Sequence, residues 1–243
     1  MGIFKIKADN FEWIGGAQDD PQDRCLHGRV TVQFGDTVLE DLGTVSATAL
    51  YLLKTLTEDK IMTRHDIQMI PCCGHFLIAN QDLTEVQISG CDNGTDWTTI
   101  HEGDCVRFIL SSGQEEVVSL REYQYEVLAF AKSVKRFYDA CSPKEIPTDE
   151  FDRNGYTAFW NEWKRRYQDG LMCLSLETGR EMELSYDGLH YFVSHQNDEW
   201  SLYCEETKEI QLFPGWRELY ENARFGDRLL RDEISNVEFD AIL

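Results

Sequence analysis

Short segments in which apolar and polar residues alternate, separated by turn residues, recur along this 243-residue chain and constrain its fold more than any other feature. Alternation with a period of two is typical of a β-strand with one buried face. Segments 29–34 and 37–42 flank the turn residues Gly35 and Asp36, which predicts a hairpin. Because successive hairpins build antiparallel sheets, the predicted fold class is α+β, mainly antiparallel sheet with packed helices. Further strands are predicted at 3–7, 67–71, 75–79, 85–89, 97–101, 105–110 and 115–120, with a loop at 8–22 and turns at Asn93-Gly94 and Ser112-Gly113.

Three stretches have the periodicity of helices. An apolar stripe that recurs every three or four residues predicts a helix over 121–141. Aromatic residues line one side of a second predicted helix, 154–167, and Gly170 is predicted to stop it because glycine commonly follows a helix end. A third helix is predicted to open near Thr44 or Ser46, since either hydroxyl can cap the free amides.

The pattern changes beyond residue 170, where a smaller C-terminal β-meander and helix module is predicted. Its strands are expected at 172–176, 181–185, 189–195, 199–204 and 209–213, followed by short helices at 216–223 and 229–234. A segment of this length can form a core of its own. The predicted boundary lies near 168–170, which gives an N-terminal α+β domain, 1–169, and a C-terminal antiparallel hairpin and short-helix domain, 170–243.

Acidic residues outnumber basic ones by 44 to 23, so the formal net charge is −21. This field repels nucleic-acid phosphates and anionic membranes and attracts basic proteins. Residues 171–243 carry 16 acidic and 6 basic side chains, net −10, whereas the remaining −11 is spread over the first 170 residues. We therefore predict a protein partner and no binding to nucleic acid or membrane; the alternative is that acidity serves solubility alone.

Signals for export are not found in the sequence. The first seven residues lack the apolar stretch of a signal peptide, and no window approaches the ~20 apolar residues that span a bilayer. A cytoplasmic location is expected. In that reducing compartment most of the eight cysteines should be free and buried as small apolar side chains.

The sequence contains only incomplete matches to known catalytic motifs. Cys72, Cys73 and His75 carry zinc-binding groups, but a structural zinc site needs four ligands, and adjacent cysteines on a strand point to opposite faces. A nucleophilic pair, Cys105 with His101 or Cys73 with His75, would need a base and an orienting third group. Phosphate-binding loops, dinucleotide fingerprints and zinc-protease helices are not found. We predict no cofactor, no metal and no enzymatic activity, and keep a cysteine- or metal-dependent enzyme as an alternative.

Three stretches carry a resemblance to a known class of proteins. They are residues 149–163, which read DEFDRNGYxxFWNEW; residues 187–192 and 200–207, which read DGLxYF and WxLYCEET; and residues 216–223 followed by 227–230. Together they resemble immunity proteins of bacterial polymorphic-toxin and contact-dependent-inhibition systems. The resemblance implies a protein that binds a cognate toxin, often a nuclease or other basic enzyme, and blocks its active site or its access to substrate. No residue role is implied, since such proteins bind through surfaces that vary.

Exposed aromatic residues beside acids are the candidate contacts, because aromatic side chains contribute much of the binding energy at interfaces. They are Trp200, Tyr203, Glu205 and Glu206 in the C-terminal meander and, second, Asp96 and Trp97 near the Asn93-Gly94 turn. A core role for each is the competing interpretation. The competing function is a non-catalytic scaffold or accessory protein of a stable complex, in which the acidity is incidental.

Overall fold

The structure is a computed structural model that describes residues 2–15, 19–63, 68–74, 76–197 and 199–243. The chain forms two compact units, one of residues 1–163 and one of residues 164–243. Helices and antiparallel sheets make up both, so the predicted α+β class is confirmed. The predicted boundary at 168–170 falls within a helix, a few residues beyond the division between the units.

The first unit begins with a three-stranded antiparallel sheet. Its strands are β1 (Phe4–Trp13), β2 (Leu26–Phe34) and β3 (Thr37–Thr44), in the order β1-β2-β3. The predicted hairpin of β2 and β3 is confirmed. The predicted loop at 8–22 is wrong for its first six residues, because β1 continues through an irregularity between Asp9 and Glu12 to the buried Trp13.

Helix α1 (Val45–Lys54) follows β3 directly. Thr44 occupies the predicted capping position, but its side chain makes no capping bond. Its hydroxyl lies 3.4 Å from His27 Nε2 and 4.0 Å from Cys25 Sγ instead. The predicted helix is therefore present, and the predicted reason for its start is wrong.

Seven short strands follow and pair locally. They are β4 (Ile70–Pro71) with β7 (Gly94–Thr95), β5 (Phe76–Ala79) with β6 (Val86–Ser89), and the sheet of β8 (Trp97–Glu102), β9 (Cys105–Leu110) and β10 (Glu115–Ser119). The predicted turn at Asn93-Gly94 is wrong, because Gly94 pairs with Pro71. A Cβ on Gly94 would lie 2.3 Å from the carbonyl oxygen of Ile70, so only glycine permits this approach.

Two long helices come next. Helix α2 (Leu120–Ala140) matches its prediction, and its N-cap Ser119 accepts the amide of Glu122. Helix α3 (Glu150–Glu177) does not end before Gly170; it continues through the predicted strand at 172–176. The left-handed residue that ends it is Gly179, at φ +71°.

The second unit contains a five-stranded antiparallel sheet. Its strands are β11 (Met182–Tyr186), β12 (Leu189–Gln196), β13 (Glu199–Cys204), β14 (Ile210–Phe213) and β17 (Glu238–Ile242), in the order β14-β13-β12-β11-β17. Between β14 and β17 lie α4 (Trp216–Asn222), the pair β15 (Arg224–Phe225) and β16 (Arg228–Leu229), and a 3₁₀ helix (Leu230–Asn236). The predicted meander of β12, β13 and β14 is confirmed, whereas the edge strand β17 is not predicted by the sequence. The predicted strand at 172–176 is wrong, because these residues belong to α3 and Met172 and Leu176, four residues apart, are buried on one side of that helix.

Candidate partner-binding surface

The five-stranded sheet has one covered face. Side chains at alternate positions of each strand join a buried cluster with residues of α3, α4 and the 3₁₀ helix. The members from the strands are Met182, Leu184, Tyr191, Val193, Trp200, Leu202, Cys204 and Phe213. The residues between these positions therefore point to the opposite face.

That opposite face carries an apolar row. The strand register places Phe192 opposite Tyr203, and Tyr203 opposite Ile210. The Phe192 and Tyr203 rings lie 6.3 Å apart, and Leu212 is the next residue of β14 on the same face. Ile210 and Leu212 are each 56% exposed, and the two aromatic residues are half-buried. We call Phe192, Tyr203, Ile210 and Leu212 the outer row.

Carboxylates border the outer row. Glu183 of β11 is directly opposite Phe192 in the register. The turn between β13 and β14 supplies Glu205, Glu206 and Glu209, all exposed, together with Lys208. We call the four glutamates the acidic rim. An apolar centre with a charged border is the arrangement found in protein interfaces.

Glu206 is held by the neighbouring strand. His190 donates its backbone N–H to Glu206 Oε2 at 2.9 Å, and His190 Nδ1 lies 2.7 Å from Glu206 Oε1. These hydrogen bonds lower the pKa of Glu206 to about 2, and the bond from the His190 side chain has the larger effect. The same contact raises the pKa of His190 above its usual 6.5. The rim therefore contains a fixed negative charge whose neighbour gains a positive charge as the pH falls.

The predicted contact Trp200 is not an exposed aromatic residue. It is only 5% exposed, belongs to the buried cluster, and stacks on His195 with the ring centres 4.6 Å apart. Tyr203, three positions further along β13, points to the opposite face. The prediction that Tyr203, Glu205 and Glu206 contact a partner remains untested, and the structure brings these three together on one face.

Asp96 and Trp97, the second choice, have contacts within the first unit. Trp97 is fully buried and packs edge-on against Phe34 at 5.2 Å, so the premise that it is exposed is wrong. Asp96 accepts two bonds from Lys60 Nζ, at 2.6 and 2.8 Å, and a third from the amide of Met69. These contacts explain both residues by the fold alone.

Three cysteines meet in the first unit. A disulfide joins Cys72 to Cys91, and Cys73 Sγ lies 3.2 Å from Cys91 Sγ. The prediction that Cys72 and Cys73 point apart is wrong, because β4 ends at Pro71 and strand alternation no longer applies. His75, the other predicted ligand, lies outside the described residues.

Three of the free cysteines, Cys25, Cys141 and Cys173, do not have the environment of a nucleophile. Burial raises the pKa of the Cys25 and Cys141 thiols, and raises that of Cys173 to about 12. Reactive cysteines need the opposite shift. All eight cysteines are in the described residues and six are free as predicted, but only Cys204 is fully buried. In the predicted Cys105–His101 pair, His101 Nδ1 lies 2.8 Å from Asp59 Oδ1, and no hydrogen bond between His101 and Cys105 is found among the described residues.

A cavity of about 360 Å³ lies in the first unit, beside the aromatic residues of α2 and α3. Two of its polar side chains bind other parts of the chain. The Tyr138 hydroxyl donates to the carbonyl oxygen of Arg24 at 2.9 Å, and Arg24 Nη1 donates to that of Glu145 at 3.2 Å. The guanidinium of Arg24 also lies 5.9 Å from the centre of the Tyr156 ring. These contacts connect the cavity walls.

Comparisons with known proteins give no further guide. No family model matches this chain, and neither the curated proteins nor the solved structures contain a match. In the described part of the chain, no helix has the length and apolar character required to cross a membrane.

The outer row was only partly visible in the sequence. The sequence identifies Tyr203 as a candidate contact, whereas it predicts only that Phe192, Ile210 and Leu212 lie in strands and does not indicate which face they occupy. Segment 209–213 has apolar residues at 210, 212 and 213, so its alternation does not say which face is covered. The register with β13 supplies that information.

Proposed function

We propose that this chain is an acidic cytoplasmic binding protein without catalytic activity, an immunity protein that neutralises a cognate basic toxin by direct contact. The observation that carries the proposal is the outer row: exposed apolar side chains cross a sheet whose other face is already covered. The fold gains nothing evident from exposing Ile210 and Leu212. Exposed apolar side chains grouped on one face are typical of a binding surface.

The charge of this surface favours a basic partner. Glu183, Glu205, Glu206 and Glu209 border the outer row, and Lys208 is the cation of the same turn. Complementary charge speeds the encounter of two proteins and disfavours partners of the same sign. The net charge of −21 extends the attraction beyond the contact itself. Toxins that act on nucleic acids are commonly basic, and the acidic rim suits such an enzyme.

Neutralisation follows from this arrangement. The outer row supplies the apolar centre that holds the toxin, and the acidic rim pairs with cations that would otherwise bind phosphates. An aromatic residue such as Tyr203 in the centre of the contact contributes most to affinity when it is fully covered. The toxin then loses access to its substrate without any reaction on the immunity protein.

The test begins with the genes that flank the gene for this chain, among which the proposal expects a basic toxin domain. We expect the purified pair to associate in calorimetry at low salt, and co-expression to relieve growth arrest by the toxin. Replacing both Ile210→Lys and Leu212→Lys should weaken the complex about thirtyfold or more, the effect of losing a hot spot of about 2 kcal/mol.

The matched control is the pair Val38→Lys and Leu42→Lys on β3. Val38 is 56% and Leu42 66% exposed, so the control adds the same charge at similarly exposed strand positions in the other unit. It should leave binding nearly unchanged. No association of the wild-type chain at low salt would refute the proposal. Equal weakening by both double variants would exclude the outer row as the contact. If the chain instead forms a complex with another protein, and salt does not weaken that complex, the result would support the scaffold role.

A further inference from the structure

The sulfur atoms of Cys72, Cys73 and Cys91 lie within 4.8 Å of one another. We propose that, once the Cys72–Cys91 disulfide is reduced, these three thiolates bind one thiophilic d¹⁰ cation of the Zn²⁺ class. Thiolate sulfur is a preferred ligand of such ions. This proposal concerns the first unit and is independent of the partner-binding surface.

The backbone brings the three sulfurs together. The amide of Cys72 donates to the carbonyl oxygen of Asn93 at 3.1 Å, which holds residues 91–93 beside residues 72–73. Two glycines allow the close approach of these segments. A Cβ on Gly90 would lie 2.3 Å from the carbonyl oxygen of Cys73, and a Cβ on Gly94 would lie 3.3 Å from the amide nitrogen of Cys72. Larger residues at these positions would push the cysteine segments apart.

The spacing suits a metal ion after a small change. Zinc–sulfur bonds of about 2.3 Å in a tetrahedral site place the sulfurs about 3.8 Å apart. Cys73 Sγ and Cys91 Sγ are 3.2 Å apart, so breaking the disulfide lets the three sulfurs open around an ion without moving their segments far. The amide of Cys91 donates to Cys73 Sγ at 3.1 Å, a bond that stabilises negative charge on that sulfur.

The site has an entry path. Gly90 and Cys91 line a polar cleft of about 520 Å³, together with Asp92 and residues near the end of α1. Cys91 is exposed, whereas Cys72 and Cys73 are half-buried. An ion can therefore approach from the cleft, take three sulfur ligands and keep its fourth position for water or an external ligand, as open zinc sites do.

Reduction and metal binding are chemically coupled. A phosphine breaks the Cys72–Cys91 bond: it takes the oxygen of one water and becomes a phosphine oxide, and the two sulfurs receive the two protons. The metal ion then forms three metal–sulfur bonds, and the three thiols release three protons. Because the disulfide consumes two of the three ligands, the oxidised protein and the metal-bound protein exclude each other.

The experiment titrates Cd²⁺ alone into the full-length chain, with and without prior phosphine reduction, and follows the ultraviolet sulfur-to-cadmium absorption. We expect one equivalent to bind the reduced chain and none to bind the oxidised chain. Replacing Cys73→Ser should lower affinity about a hundredfold or more, since few ligands share the binding energy of such sites. Replacing Cys105→Ser, at a half-buried cysteine of β9, is the matched control and should leave affinity unchanged.

A second measurement needs no variant. The reduced wild-type chain is alkylated with iodoacetamide in the presence and absence of Cd²⁺, and the modified cysteines are mapped by mass spectrometry. The ion should protect Cys72, Cys73 and Cys91 and leave Cys105 reactive. Binding below about 0.1 equivalent, against the tight binding of thiolate sites, would overturn the proposal. Protection of a different set of cysteines, or full affinity in the Cys73→Ser variant, would overturn it as well.

Discussion

The five-stranded sheet of the second unit offers two faces built from the same strands. On the inner face, Trp200 and Leu202 are buried under helices, at 5% and 1% exposure. On the outer face, Tyr203 and Ile210 are adjacent across the strand pair and remain accessible. Both faces are apolar at these positions, but only the inner one is needed to close a core. The comparison separates apolar residues that stabilise the fold from those that are available to a partner.

The largest expected difference is in stability. Replacing Trp200→Ala should lower the free energy of unfolding of the second unit by about 3–5 kcal/mol, because it removes a buried aromatic side chain and leaves a cavity. Replacing Tyr203→Ala should cost about 1 kcal/mol or less, the size of a cross-strand pair with Phe192. Urea unfolding followed by far-ultraviolet circular dichroism measures both.

The two variants also differ in how they affect a partner. Tyr203→Ala should weaken toxin binding while the unit stays folded, whereas Trp200→Ala should act through loss of the folded unit. A Trp200→Phe variant, which keeps a buried aromatic ring, should recover a large part of the stability and all of the binding. If Tyr203→Ala were the more destabilising of the two alanine variants, the assignment of faces would be wrong.

Much of this comparison was accessible from the sequence, and its limits have physical causes. The strands at 189–195, 199–204 and 209–213 were predicted because their patterns are bounded by turn residues. The faces were assigned less well. Trp200 and Tyr203 are three residues apart on one strand, so their side chains point to opposite faces of the sheet. Only the pairing with neighbouring strands and helices decides which face is covered.

The errors elsewhere have similar origins. Residues 172–176 are apolar enough to read as a strand or a buried helix, and Gly170 suggested a stop that the helix does not use. Edge strand β17 contains two acids in five residues and lacks a clear apolar pattern. Cys91 approaches Cys73 only because β4 pairs with β7, and two-residue strands leave no periodic signal. The pattern of apolar and polar residues does not predict contacts between segments that are distant in the sequence.

A smaller effect is expected at the acidic rim. Replacing Glu205→Gln and Glu206→Gln removes two negative charges beside the outer row without removing apolar contact area. The association rate with a basic toxin should fall about three- to tenfold at low salt and much less at high salt, because steering is screened. The dissociation rate should change little. Stopped-flow mixing over a salt series measures both rates.

The control for this prediction removes two charges from the first unit. Asp36→Asn and Asp82→Asn replace exposed carboxylates and give the same change in net charge. Their effect on the association rate should be clearly smaller than that of the rim pair. Identical effects would mean that the overall charge, and not the outer face, attracts the partner.

The smallest expected effect is the titration of His190 on the outer face. The hydrogen bond to Glu206 raises the pKa of His190 above 6.5 in the folded chain. The stability that this pair gives the folded chain is therefore fully present between pH 4.5 and pH 6.5, the ordinary pKa values of a glutamate and a histidine. It is lost as the pH rises through the raised pKa of His190. It is also lost as the pH falls towards about 2, the pKa of Glu206. Both groups are accessible to solvent, so the effect on overall stability is small.

The replacement Glu206→Gln tests this pair directly. It removes the negative charge but keeps an oxygen that can accept the backbone N–H of His190, so the pKa of His190 should return towards 6.5. A pH titration of the histidine ring signals by NMR measures the shift, and His195, which stacks on Trp200 at the inner face, serves as the internal reference. An unchanged His190 titration in the variant would show that Glu206 does not set the charge of the outer face.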